Sequence, residues 1–151
     1  MRIVSRPARN LLALFVLMVG TSMIVAEEHR WKPWPTLPDK EGFAGTFAGI
    51  VNDSLLVAGG ANFPDGKPWE GGKKKWYDDV WRLDEPSGAW VHAGKLPMPL
   101  GYGVSATHRN SMIVAGGSNA DGHHANAYRV QLREKRLVFE PLPDLSAPLA
   151  N

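Results

Sequence analysis

After a short N-terminal leader, the 151-residue chain reads as an all-β protein. Past residue 26, apolar residues come in short runs bounded by Gly, Pro, Asn and Asp, the spacing of strands closed by turns. No stretch keeps a helical apolar spacing beyond a turn or two. The chain also repeats itself: Asn52-Asp53-Ser54-Leu55-Leu56-Val57-Ala58-Gly59-Gly60-Ala61-Asn62 aligns with Arg109-Asn110-Ser111-Met112-Ile113-Val114-Ala115-Gly116-Gly117-Ser118-Asn119 at a constant offset of 57.

The leader comes first. Arg2, Arg6 and Arg9 precede the nine-residue apolar run Leu11–Val19, and the short stretch GTSMIVA ends at Ala26. These are the proportions of a cleaved signal peptide over residues 1–26. A spanning helix needs about twenty apolar residues, so stable membrane insertion is not expected. The expected localisation is export, to a periplasm or the medium.

Each later repeat reads as four strands. In the first, strand a runs over about Thr46–Val51 and turns at Asn52-Asp53; strand b is Leu55–Ala58 and ends at Gly59-Gly60. Strand c is Asp79–Leu83, and strand d surrounds Trp90–His92. Between c and d, Asp84-Glu85-Pro86-Ser87-Gly88 is a turn in which Pro supplies a fixed φ and Gly is expected to supply a positive one. In the second repeat, a starts at Gly103, b at Met112, c at Ala127 and d at Leu137. Strand c recurs at an offset of 47 (Asp79–Leu83 against Asn126–Val130), so the first repeat holds ten extra residues between its glycine pair and strand c. Trp90-x5-Leu96-Pro97 also echoes Trp31-x5-Leu37-Pro38.

A period near fifty, four strands per unit, Gly-Gly after strand b and Trp in strand d resemble the kelch repeat of β-propellers. WD40 repeats fit worse, since no Trp-Asp pair closes strand c. The implied fold class is an all-β, kelch-type propeller with two complete four-stranded blades. The implied boundaries are 27–38 for the outer strand of a closing blade, 39–97 and 98–143 for the two blades, and 144–151 for a linker to a further blade. Two blades do not close a ring, which takes roughly four to eight. Either further blades complete it or several copies assemble.

Charge excludes some functions. The chain has 17 Lys+Arg against 15 Asp+Glu, and cutting after Ala26 removes three Arg and no acid, leaving 14 against 15. The pI near 9.0 thus comes from the leader, and no nucleic-acid partner is implied. The absence of cysteine excludes disulfides, thiolate metal sites and a cysteine nucleophile. No phosphate-binding glycine loop or Gly-x-Ser-x-Gly elbow is found.

Within the kelch class, Ala44-Gly45-Thr46-Phe47-Ala48-Gly49-Ile50, Asn52-Asp53-Ser54-Leu55 and Ala58-Gly59-Gly60 resemble one blade of the bacterial N-acetylneuraminate epimerases. Tyr102-Gly103-Val104-Ser105, Asn110-Ser111 and Gly116-Gly117 resemble the next. The long loop of residues 62–78 fits the same family, and the position of the blades directly after the leader fits its cyclically permuted relatives. The resemblance spans about residues 42–132. It implies a six-bladed propeller that interconverts sialic-acid anomers, with a sugar substrate and no cofactor. It also implies that the acid/base carboxylate lies in blades without a counterpart here, so no catalytic residue is assigned. A binding module for glycans or proteins without catalysis, and an inactive fragment, are the alternative readings.

In an up-and-down blade the d–a and b–c connections share one rim, and function is commonly placed on loops set on a rigid scaffold. The long b–c loop is the richest part of that rim. Trp69 and Trp76 can stack on a sugar or pin the loop to its blade. Lys73, Lys74 and Lys75 can draw a carboxylate or simply be solvated, and Gly71-Gly72 is expected to be a flexible bend. Asn62, echoed by Asn119, can bond a sugar hydroxyl or cap its own loop. The expected substrate contacts are Asn62, Phe63, Lys73, Trp76 and Asn119. His123-His124 lacks the ligand set of a metal site, and His108 reads as structural. Asp78-Asp79 is expected to bond backbone donors at the start of strand c.

Overall fold

The computed structural model describes residues 32–151. The expected leader and residues 27–31 of the expected outer strand lie outside the described residues. The chain divides into Met1–Lys32 and Pro33–Asn151, and the architecture below is that of the second unit.

Two four-stranded antiparallel sheets make up the fold. The first is built from β1 (Phe47–Val51), β2 (Ser54–Ala58), β5 (Asp79–Leu83) and β6 (Val91–Lys95), in that spatial order. The second holds β7 (Val104–His108), β8 (Ser111–Ala115), β11 (Ala127–Arg133) and β12 (Arg136–Leu142), again as a meander. Two small ladders sit in the b–c connections: β3 (Ala61–Asn62) with β4 (Lys75–Trp76), and β9 (Ser118–Asn119) with β10 (Gly122–His123).

Tight turns set the register. Asn52 and Asp53 have φ of 48° and 62°, Arg109 and Asn110 have 46° and 56°, and Glu134 and Lys135 have 50° and 64°. Two consecutive positive φ values are the mark of a type I′ hairpin, whose twist matches that of the flanking strands. The β5–β6 turn differs from expectation. Gly88 has no positive φ; its N–H donates to the Glu85 carbonyl at 2.9 Å, so Gly closes a Glu85–Gly88 turn at the last position, where its small size is favoured.

The core lies between the sheets. On β1, Phe47, Gly49 and Val51 alternate with exposed Ala48 and Ile50, and Phe47 and Val51 share one apolar cluster with Met112, Val114, Val130 and Leu132 of the second sheet. Gly49 permits the approach, because a Cβ there would stand 2.9 Å from Met112 Cγ. The free edge of β1 is closed by side chains: Ser105 Oγ accepts from Ala48 N–H at 2.9 Å and Thr107 Oγ1 accepts from Ile50 N–H at 2.8 Å. Hydroxyls thereby satisfy donors that an edge strand otherwise leaves bare.

The glycine pairs do the same work in both repeats. Gly59 and Gly116 adopt φ of 63° and 65°. After them, Gly60 N–H donates to Leu100 O at 2.8 Å and Gly117 N–H to Leu149 O at 2.7 Å. Residues 145–149 therefore seat on the second sheet as residues 96–100 seat on the first.

Residues 33–37 of the expected outer strand pair with no strand of the described residues, and Trp90 Nε1 donates to Pro35 O at 2.8 Å. One expectation about the long loop is corrected. Gly71-Gly72 is an ordered stop rather than a flexible bend. Gly71, at φ 84°, caps the single 3-10 turn Pro68–Glu70, and Gly72 N–H donates to Lys67 O at 3.0 Å.

Candidate functional site

The strand registers send the b–c and d–a connections to one end of the two sheets and the hairpin turns to the other. At the first end lie two neighbouring clefts. One, of about 360 Å³, is lined by Glu41, Phe43, Asn62, Phe63, Lys67 and Tyr102 among others. The second, of about 280 Å³, is lined by Lys74, Trp76, Pro99, Asn119, Ala120 and Asp121. Trp76 and Tyr102, packed edge-to-face with centroids 5.5 Å apart, stand where the two meet.

Strand alternation sorts the lysine run. Extended backbone puts side chains two residues apart on one side, and Lys74, just ahead of β4, has its Nζ over the Trp76 ring at 4.5 Å and over Tyr102 at 4.1 Å. Lys75 Nζ lies over Tyr77 at 4.8 Å, and Tyr77 in turn packs edge-to-face on Phe43 at 4.9 Å. Lys73, ahead of the ladder, lines neither cleft.

Asn62 is buried at 8% exposure and its amide is committed. It donates to Asp39 Oδ1 at 3.1 Å and to Gly42 O at 2.9 Å, and accepts from the Tyr77 hydroxyl at 2.8 Å. Both of its N–H donors are thus used, so it shapes the first cleft by fixing the 39–42 loop. Phe63 lines that cleft half-buried. Asn119 accepts from Asp121 N–H at 2.8 Å, and its Nδ2 lies 3.9 Å from Met98 Sδ. Trp69 is 81% exposed on the 3-10 turn and lines neither cleft.

Polar side-chain contacts hold several of the remaining charged groups. Lys67 Nζ lies 2.6 Å from Glu41 Oε2, and this bond holds the Glu41 carboxyl below the usual glutamate range and raises the Lys67 ammonium. Asp78 and Asp79 face side chains rather than backbone donors: Lys95 Nζ lies 2.7 Å from Asp78, and His92 Nε2 lies 2.9 Å from Asp79. His123 Nδ1 is 2.8 Å from Ser118 Oγ, beside the ladder that shapes the second cleft.

Sequence reasoning missed Tyr102. The 57-residue offset aligns it with Gly45, whose φ is 66°, and Tyr102 itself adopts φ 60°. For an L residue with a bulky side chain this region is unfavourable by about 1–2 kcal/mol. Two bonds hold it there: its N–H donates to Gly45 O at 2.8 Å, and its carbonyl accepts from Asn151 N–H at 2.8 Å. The repeat offset itself was the available signal, since it puts a tyrosine where the other copy has a glycine.

An all-β pair of repeated four-stranded sheets, with aromatic and charged loops gathered at one end, defines a β-repeat protein. The comparisons agree. A family model described as N-acetylneuraminate epimerase matches residues 17–139, and the chain belongs to that family. It is 42% identical over 99 residues to the N-acetylneuraminate epimerase of Salmonella enteritidis PT4, covering 60% of this chain and 25% of that protein. To the N-acetylneuraminate epimerase of Yersinia enterocolitica serotype O:8 it is 38% identical over 112 residues, covering 63% and 28%. The solved structure of YjhT superposes with a TM-score of 0.64 at 30% identity, over 74% of this chain and 34% of that one. The chain spans about a quarter of the length of the curated relatives it matches.

Proposed function

We propose that residues 39–143 are two adjacent kelch-type blades of a six-bladed sialic-acid mutarotase, exported by the leader at residues 1–26, and that their rim supplies substrate contacts. The observation that carries the reading is the pair of adjoining clefts at the loop end of a chain belonging to the N-acetylneuraminate epimerase family. Aromatic walls fit the apolar face of a pyranose, and the lysine ammonium groups beside them fit a carboxylate.

Interconverting anomers by ring opening requires a base at the anomeric hydroxyl and an acid at the ring oxygen. An acid at neutral pH needs a raised carboxyl pKa, whereas Glu41 in the first cleft is held ionised by Lys67. These blades therefore bind and orient the sugar, while the proton-transfer groups belong to other blades of the ring. The same observation favours binding without catalysis for the chain by itself.

The test replaces the matching two-blade segment of a full-length relative with residues 39–143. Proton NMR then follows exchange between the α and β anomers of N-acetylneuraminate. Exchange within tenfold of the parent supports the reading. A folded chimera that leaves the uncatalysed rate unchanged contradicts it.

A further inference from the structure

Of the three consecutive lysines in the long loop, Lys74 is set apart by its surroundings. Its ammonium lies over two aromatic rings, Trp76 and Tyr102, which come from different repeats. Among the described residues it has no carboxylate partner, whereas Lys67 is paired with Glu41 and Lys95 with Asp78. Aromatic faces hold a cation in place without neutralising it, so the charge stays available to a ligand. Tyr102 adds a second observation. Glycine serves the fold at the equivalent Gly45, yet here a tyrosine occupies the left-handed region. Local conformational cost at an exposed rim is a known mark of a functional position. What the tyrosine brings that glycine does not is its ring, which lines the first cleft and meets both Trp76 and Lys74.

We infer that Lys74, Trp76 and Tyr102 form a preorganised receptor for an acidic sugar. In it the Lys74 ammonium takes the sugar carboxylate, and Trp76 and Tyr102 hold the lysine and flank the ring. The inference rests on the sialic-acid reading and sharpens it: the selective cation is Lys74, and neighbouring Lys73 contributes nothing specific. Asp121 lies in the same cleft and works against anions there, so specificity depends on the placement of one ammonium rather than on net charge.

Binding of N-acetylneuraminate and of its methyl ester to the 151-residue chain, measured by titration calorimetry, tests this. Lys74→Ala is expected to weaken the free acid at least tenfold and the ester less than threefold. Lys73→Ala, which removes the same charge one residue away, is expected to change both less than threefold. Tyr102→Gly, which keeps the backbone conformation, is expected to weaken both ligands. Equal effects of the two lysine substitutions, or an equal loss for acid and ester in Lys74→Ala, overturn the receptor while leaving the sialic-acid reading standing. Failure of the wild-type chain to bind either compound overturns that reading and the receptor with it.

Discussion

Asp84 stands just past β5, and its carboxylate is held below the usual aspartate range, first by the Ser54 hydroxyl at 2.8 Å and then by the Arg82 guanidinium. Arg82 is itself 7% exposed, with Nε 2.8 Å from Asp84 Oδ1. A lowered folded pKa means that the unfolded chain binds the proton more tightly. The stabilisation is therefore full above about pH 4, the ordinary aspartate value, and is lost as pH falls through the lower folded pKa. Ser54→Ala is expected to move the Asp84 titration upward in a carbon-detected NMR titration and to shrink the acid-side loss of stability. An unchanged titration contradicts the assignment. At this scale sequence reading is weakest. It named Lys73 in the long loop, although three identical residues in a row give no reason to choose among them. What separates them is visible only in the fold, where Ala61 pairs with Trp76 and Asn62 with Lys75, and Lys74 and Lys75 lie over different aromatic rings.

Elements were far more legible. β1, β2, β5, β7, β8, β11 and their hairpins follow from apolar runs, turn residues and a repeat that aligns strand with strand. The Glu134-Lys135 turn was invisible because neither residue favours positive φ in isolation; the strong β11–β12 ladder imposes it. The short β3–β4 ladder was equally hidden, since two residues per strand carry no period. What locks the two sheets together is also an element-scale matter: Ser105 and Thr107 of β7 bond the open edge of β1. Replacing both by Ala is expected to cost up to about 1 kcal/mol each, read as a lower urea midpoint with little change in slope. Thr107→Ser, which keeps the hydroxyl, is expected to recover its share. Wild-type stability in the double variant contradicts this account of the sheet–sheet contact.

At the scale of the whole molecule, two ends of the same sheets have opposite characters. One carries short I′ hairpins fixed by backbone geometry; the other gathers Phe43, Trp76, Tyr77, Tyr102, the long loop and two clefts. Sugar ligands are expected at the second end, because there rigid strands hold aromatic side chains around open space, whereas the cleft of about 330 Å³ at the hairpin end, lined by Arg82, Asp84, Glu134 and Lys135 among others, has no aromatic wall among the described residues. The all-β class and the repeat were readable from sequence because each strand announces itself locally. The juxtaposition of Trp76 with Tyr102 was not, since it joins residues of different repeats and depends on how one sheet packs on the next.

The most direct test is a proton–nitrogen NMR titration of the chain with N-acetylneuraminate. Shifts confined to the Trp76 indole and to the backbone amides of Asn62, Tyr102 and Asn119 are the expected result. Shifts centred on the Asn52, Arg109 and Glu134 turns, or spread evenly over both ends, would contradict it.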